Sequence, residues 1–195
     1  MRYVLAVLLC LFAGCGDGDG SSERPPRVFL WGDSIRLYYE PTVIDMAGDS
    51  MEIWSPQWYF GMTAPNLLSR LHEFDLTAYD VFHINAGLHD EMVGVSPAEY
   101  EAAFRQILTT IRIYSDAPII LATTTQRNDP PRPVLEEYNT AIKRAVLMRP
   151  NVYIDDLRSF QRDNALVLRD GIHFDDHSAM LMGMHVFEAI QQSLR

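Results

Sequence analysis

Cysteine is nearly absent from this 195-residue chain: there are two, Cys10 and Cys15, both close to the start. Everything after them lacks a thiol. A disulfide framework, a cysteine nucleophile and a zinc–thiolate site are therefore excluded for the folded part. Basic residues are scarce as well. Sixteen Lys and Arg stand against 26 Asp and Glu, a formal net charge of −10. A chain of that sign lacks the basic patch that a phosphate backbone requires, which excludes nucleic acid as a partner. There is no internal repeat and no second linker. The one long apolar run, Val4 to Phe12, is too short to span a bilayer as a mature helix. What is present is ordinary for a globular protein: 48% hydrophobic and 22% charged residues, in a length that suits one domain with a large core.

Met1-Arg2 gives a positive start, the apolar run follows, and Ala13-Gly14-Cys15 closes it. This is the pattern of a secretory signal peptide. It resembles a bacterial lipoprotein signal, in which Cys15 becomes the lipidated first residue. That resemblance implies export to the bacterial cell envelope and a membrane contact made through an N-terminal lipid. Gly16 to Arg27 is rich in Gly, Asp, Ser and Pro and reads as a flexible tether. The expected organisation is a signal over 1–14, a tether over 15–27 and one domain over 28–195.

Within the domain, short apolar runs alternate with helical patterns. Val28-Phe29-Leu30-Trp31, Met51 to Trp54, Tyr79 to Asn85, Pro118 to Thr123 and Val152-Tyr153-Ile154 read as strands. A helix follows Ser34, another starts near Thr63, and others cover Val134 to Met148 and His177 to Leu194. Ser96-Pro97-Ala98-Glu99 is a helix start with cap, N1 proline and capping-box glutamate. Strand–helix alternation of this kind implies a parallel sheet covered on both faces: a three-layer α/β/α sandwich with five strands. Ligands bind such sheets beyond the carboxyl ends of the strands.

Three short motifs fall at that edge. Gly32-Asp33-Ser34 follows the first strand and offers a hydroxyl at the start of a helix, whose N–H groups attract an anion. Gly87-Leu88-His89-Asp90 follows the third strand. Asp170-Gly171-Ile172-His173 precedes the last helix. An imidazole within reach of a serine takes its proton during attack and returns it to the leaving group, and a carboxylate on the other ring nitrogen fixes the tautomer. A second Gly-Asp-Ser, at Gly48-Asp49-Ser50, lies between a helix pattern and a strand and reads as a turn. His83 reads as a core histidine with a local partner, His72 and His185 as surface or boundary residues, and Asp175 or Asp176 as the cap of the last helix. Trp54, Trp58 and Tyr59 fall near the second strand's edge, where they either line a groove or fill the core.

In their order and flanks these motifs resemble the SGNH (GDSL) hydrolase family, over nearly the whole domain from Val28 to the last helix. The resemblance implies a flavodoxin-like hydrolase fold and a serine esterase working through an acyl-enzyme. Ser34 is then the nucleophile, His173 the base and acid, and Asp170 its orienter. The oxyanion hole would use the Ser34 N–H, a glycine matching Gly61 (with Gly48 as rival), and a side chain after the third strand. The family has Gly-x-Asn-Asp there; this chain has His89 in place of that Asn, with Asn85 as the alternative donor. Asp33, Gly87 and Arg127 are expected at the substrate. No metal or organic cofactor is required, and a monomer is expected. The substrate is expected to be a small-molecule or glycan ester, acetyl esters of carbohydrates among them. The same machinery would serve a lysophospholipase, a thioesterase or a glycan O-acyltransferase. The rival of a different class is a surface binding protein of the same fold without the chemistry.

Overall fold

The computed structural model describes residues 24–56, 62–127 and 131–195. Cys15, the expected leader, most of the expected tether, Trp58, Tyr59 and Gly61 lie outside the described residues, as do 128–130.

Five parallel strands form one sheet: β1 (Arg27–Trp31), β2 (Glu52–Trp54), β3 (Val81–Asn85), β4 (Ile119–Ala122) and β5 (Val152–Asp155), in the order β2-β1-β3-β4-β5. This is the flavodoxin-like doubly wound order. Register is continuous across the centre, with Phe29 beside Phe82 and Phe82 beside Ile119. Val28, Phe29, Leu30 and Trp31 are all fully buried. A strand covered on both faces has no polar alternation, which is why these runs are uniformly apolar.

Seven α-helices cover the sheet among the described residues: α1 (Ser34–Ala47), α2 (Ala64–Arg70), α3 (Leu88–Val93), α4 (Pro97–Tyr114), α5 (Pro133–Val146), α6 (Leu157–Asp163) and α7 (Asp176–Ser193). Helix α1 packs on α7, while α4 packs on α5 and α2. The three layers read from the pattern are therefore present. Several helix starts follow from local chemistry. Thr63 caps α2 by accepting the Asn66 N–H. Ser96 and Glu99 form the full capping box of α4. Asp175 caps α7 by accepting the Ser178 N–H at 2.8 Å. Gly48, with φ 48°, ends α1, so the second Gly-Asp-Ser is a turn.

Two helices were not evident in the sequence. Both α3 and α6 are short, at six and seven residues. Neither spans enough turns to show a helical period. Trp54 stacks on Phe29 at 5.1 Å, edge-on to Phe74 at 5.3 Å, within an aromatic cluster that also holds Trp31, Tyr79 and Phe82. Of its two readings, core filling is the one the structure bears out. The amino-terminal side of the domain is pinned earlier than the composition implied. Arg24 pairs with Asp80 at 2.6 Å, and Arg27 already belongs to β1.

His83 is buried in β3, but its partner is not local: Nε2 lies 2.9 Å from Asp155 at the end of β5. His185 of α7 reaches the other oxygen of the same carboxylate at 2.8 Å. Burial works against the Asp155 charge, yet the hydrogen bonds from His185 and His83 prevail and hold its carboxyl below the usual range. The same bond raises His185. This buried His–Asp–His arrangement ties α7 to the sheet interior.

Candidate active site

The order of strands reverses direction between β1 and β3, and ligands of open α/β sheets bind at that crevice. Ser34 sits at the end of β1, as the first residue of α1; Gly87 and His89 follow β3. The turn after β1 lies against the end of β3. A Cβ on Gly32 would fall 1.7 Å from Asn85 Oδ1, so no larger residue fits there. The need for glycine is this close approach.

Asp33 is buried and its Oδ1 accepts the Ile35 N–H at 3.0 Å. It is the N-cap of α1 and, though expected at the substrate, is not among the residues that line the cavity. Burial raises its carboxyl, and His89, Arg36 and His173 nearby work in the opposite direction. Its cap fixes the first turn of α1 and so the backbone of Ser34. The Ser34 N–H opens the helix and has no acceptor one turn back.

His173 Nε2 lies 2.9 Å from Ser34 Oγ, and His173 Nδ1 lies 2.7 Å from Asp170 Oδ2. Residues 139 apart in sequence thus meet at hydrogen-bond range. The loop that carries the pair is closed on itself. Asp170 Oδ1 accepts the N–H groups of Ile172 and His173 at 3.0 and 2.7 Å, and the Arg169 N–H donates to the His173 carbonyl at 2.9 Å. One carboxylate oxygen therefore builds the turn and the other orients the imidazole. The hydrogen bonds from the His173 ring and from the two backbone N–H groups hold the Asp170 carboxyl well below the usual range, so it stays ionised. Tyr38 stacks obliquely on the imidazole at 4.9 Å, and the Arg169 guanidinium lies 4.6 Å over the Tyr38 ring.

The third motif forms the opposite wall. Gly87 has φ 138°, in the region that favours glycine, and a Cβ there would lie 2.5 Å from Thr124. It is the N-cap of α3 and, though expected at the substrate, is not among the residues that line the cavity. Asp90 is buried, and its Oδ1 accepts the Ala64 N–H at 2.9 Å. Burial and the nearby Asp33 push its carboxyl up to about 7, against the pull of the Ala64 N–H. This residue was not singled out from the sequence; its place in the third motif was the available signal.

His89 Nδ1 accepts the Met62 N–H at 3.0 Å. An imidazole nitrogen that accepts carries no proton, so the neutral ring holds its hydrogen on Nε2. The ring lines the same cavity as Ser34 and His173. Asn85 is almost fully buried against Gly32, and the cavity wall does not include it. Of the two candidate donors, His89 is the one at the site. Gly61 lies outside the described residues. Arg127, expected at the substrate, pairs instead with Glu91 of α3 at 2.7 Å and is absent from the cavity wall. Its charge is consumed in joining the loop after β4 to α3.

The cavity measures about 590 Å³ and is lined by Ser34, Leu37, Tyr38, Leu88, His89, Met92, Ile172 and His173. A volume of that order holds a small organic ligand.

The five-stranded α/β/α fold is shared with solved esterases and a lipolytic G-D-S-L family protein. Solved structures of similar shape include an acetylxylan esterase from Geobacillus stearothermophilus, at 19% identity and TM-score 0.69, covering 85% of this chain and 94% of that one. A carbohydrate esterase of family 3 from Talaromyces cellulolyticus matches at 18% identity and TM-score 0.67, over 87% and 98%. A lipolytic G-D-S-L family protein from Veillonella parvula matches at 18% identity and TM-score 0.65, over 85% and 98%. At these identities the likeness establishes the fold. The sequence matches no family model and no curated protein.

Proposed function

We propose that this protein is a serine esterase that cleaves carboxylic esters through an acyl-enzyme on Ser34. The observation that carries the reading is the unbroken chain Ser34 Oγ–His173 Nε2–Asp170, at 2.9 and 2.7 Å, at the sheet's switch point and beside an open cavity. Ser34 Oγ attacks the ester carbonyl while its proton passes to His173 Nε2. The imidazolium so formed donates from Nδ1 to Asp170, whose ionised carboxylate stabilises it. Negative charge develops on the former carbonyl oxygen and is met by two donors fixed in advance: the Ser34 N–H and the His89 Nε2–H. Collapse expels the alcohol, which takes the proton from His173. Water then attacks the acyl-enzyme with His173 as base, releases the acid and restores Ser34. No step needs a metal or an organic cofactor.

Acetylated glycans enter the substrate range through the names of two solved relatives of the fold. The leader pattern supports export to the bacterial cell envelope and attachment through a lipid on Cys15, with the domain held as a monomer near the membrane. Among the described residues no helix is long and apolar enough to cross a membrane.

The test is hydrolysis of p-nitrophenyl acetate by the purified domain. The wild type is expected to turn over and Ser34→Ala to lose all but background. Activity that survives the substitution overturns the mechanism. Retention of a glycan with no turnover of any ester supports the binding protein instead.

A further inference from the structure

We propose that the substrate carries an aliphatic chain beside its ester carbonyl, larger than acetyl, seated against Leu37, Leu88, Met92 and Ile172. The proposal rests on the esterase reading and specifies its substrate class.

Three observations on the cavity converge. Of the described lining residues that the chemistry does not use, Leu37, Leu88, Met92 and Ile172 are aliphatic, and Tyr38 presents a ring with a hydroxyl. Three of the polar side chains in the wall, Ser34, His89 and His173, are assigned to acyl transfer. Among the described lining residues, the Tyr38 hydroxyl alone is left to match a sugar hydroxyl. Second, two of the groups that the sequence placed at this sheet edge are engaged elsewhere, while Trp58 and Tyr59 lie outside the described residues. Arg127 is paired with Glu91, and Trp54 is stacked inside the aromatic cluster on Phe29. The Tyr38 oxygen accepts from the Arg169 guanidinium. Third, the size is wrong for an acetyl group alone. A cavity of about 590 Å³ leaves most of its apolar wall uncovered when only a methyl group enters.

The apolar wall continues to the surface. Met92 of α3 lines the cavity together with Leu37 and Ile172 and is 63% exposed. Methionine there adapts to chains of different length. Burying each further methylene favours binding by up to about fourfold, and by about twofold where the wall covers it partly. From acetate to hexanoate the preference should therefore reach roughly tenfold or more. The chain belongs to the acyl group or to the alcohol, and both present the same chemistry to this wall.

The experiment has two arms. One compares kcat/KM across p-nitrophenyl acetate, butyrate, hexanoate and octanoate; the other compares acetates of ethanol, butanol and hexanol. A rise of roughly tenfold or more with chain length in either arm is expected, and the arm that shows it identifies the side of the carbonyl. Met92→Asp should remove most of that rise, whereas Val93→Ser, which is exposed and outside the cavity wall, should keep it. Binding to Ser34→Ala gives a readout free of turnover: in the arm that carries the preference, the hexyl or hexanoyl ester should bind roughly tenfold more tightly than its short counterpart. If no ester is turned over but this binding preference appears, the esterase reading fails and the aliphatic site stands. Activity highest on p-nitrophenyl acetate in the first arm and on ethyl acetate in the second, or no chain-length preference in binding on either side of the carbonyl, overturns the proposal.

Discussion

His89 offers the most discriminating single perturbation. Its Nδ1 is taken by the Met62 N–H at 3.0 Å, which leaves Nε2–H as the only donor the neutral ring presents to the cavity. Removing one oxyanion donor costs about 10²–10³ in kcat, or about 2.7–4 kcal/mol of transition-state stabilisation. His89→Ala should therefore lower kcat and kcat/KM together, with little change in KM, because the bond is made chiefly to the charged oxygen. The same substitution strips the Met62 N–H of its acceptor. Met62 is 2% exposed, so the orphaned donor should cost about 1–3 kcal/mol of stability. The two effects separate in the assay. Thermal unfolding registers the second, and steady-state rates on p-nitrophenyl esters at 25 °C, where the variant is folded, register the first. His89→Asn should recover part of kcat, since a carboxamide also donates. A His89→Ala enzyme with kcat within threefold of wild type would refute the assignment. Asn85, held against Gly32 away from the cavity wall, would not explain such a result either.

Two further substitutions probe the neighbours of that donor. Asp170→Asn should lower kcat by about 10⁴, because an amide facing Nδ1 no longer enforces the productive tautomer; a loss below tenfold would contradict the role given to Asp170. Asp90 supplies a pH dependence of stability. Its carboxyl rises from 3.8 to about 7 in the folded chain, so the native state binds the proton more tightly than the unfolded state. The stabilisation is complete below about 4 and is lost as pH rises through 7, with a slope of up to about 1.4 kcal/mol per pH unit. Urea unfolding of the wild type should therefore show falling stability across that window from this group. Asp90→Asn should flatten the curve, and parallel curves for the two proteins would contradict it.

Much of this architecture was legible in the sequence, for identifiable reasons. Strands β1, β3 and β4 are buried on both faces, so they appear as unbroken apolar runs. The start of α4 was legible because its capping box is local, complete within Ser96–Glu99. The pairing of Ser34 with His173 was legible through motif order. What escaped depends on contacts that no local pattern encodes. Helix α3 is too short for a period, and the two histidines on Asp155 come from β3 and α7. Asp33 and Gly87 stand beside the chemistry in sequence, yet one caps a helix and the other turns the chain. Arg127 could be placed on the correct sheet edge from sequence, but not its capture by Glu91, a partner 36 residues away.

The central claim is that Ser34 is a nucleophile activated by His173. Treatment with a fluorophosphonate, followed by peptide mapping, tests it most directly. One adduct on Ser34 is expected, with labelling slowed strongly in His173→Ala. An unlabelled Ser34, or labelling indifferent to His173, would contradict it.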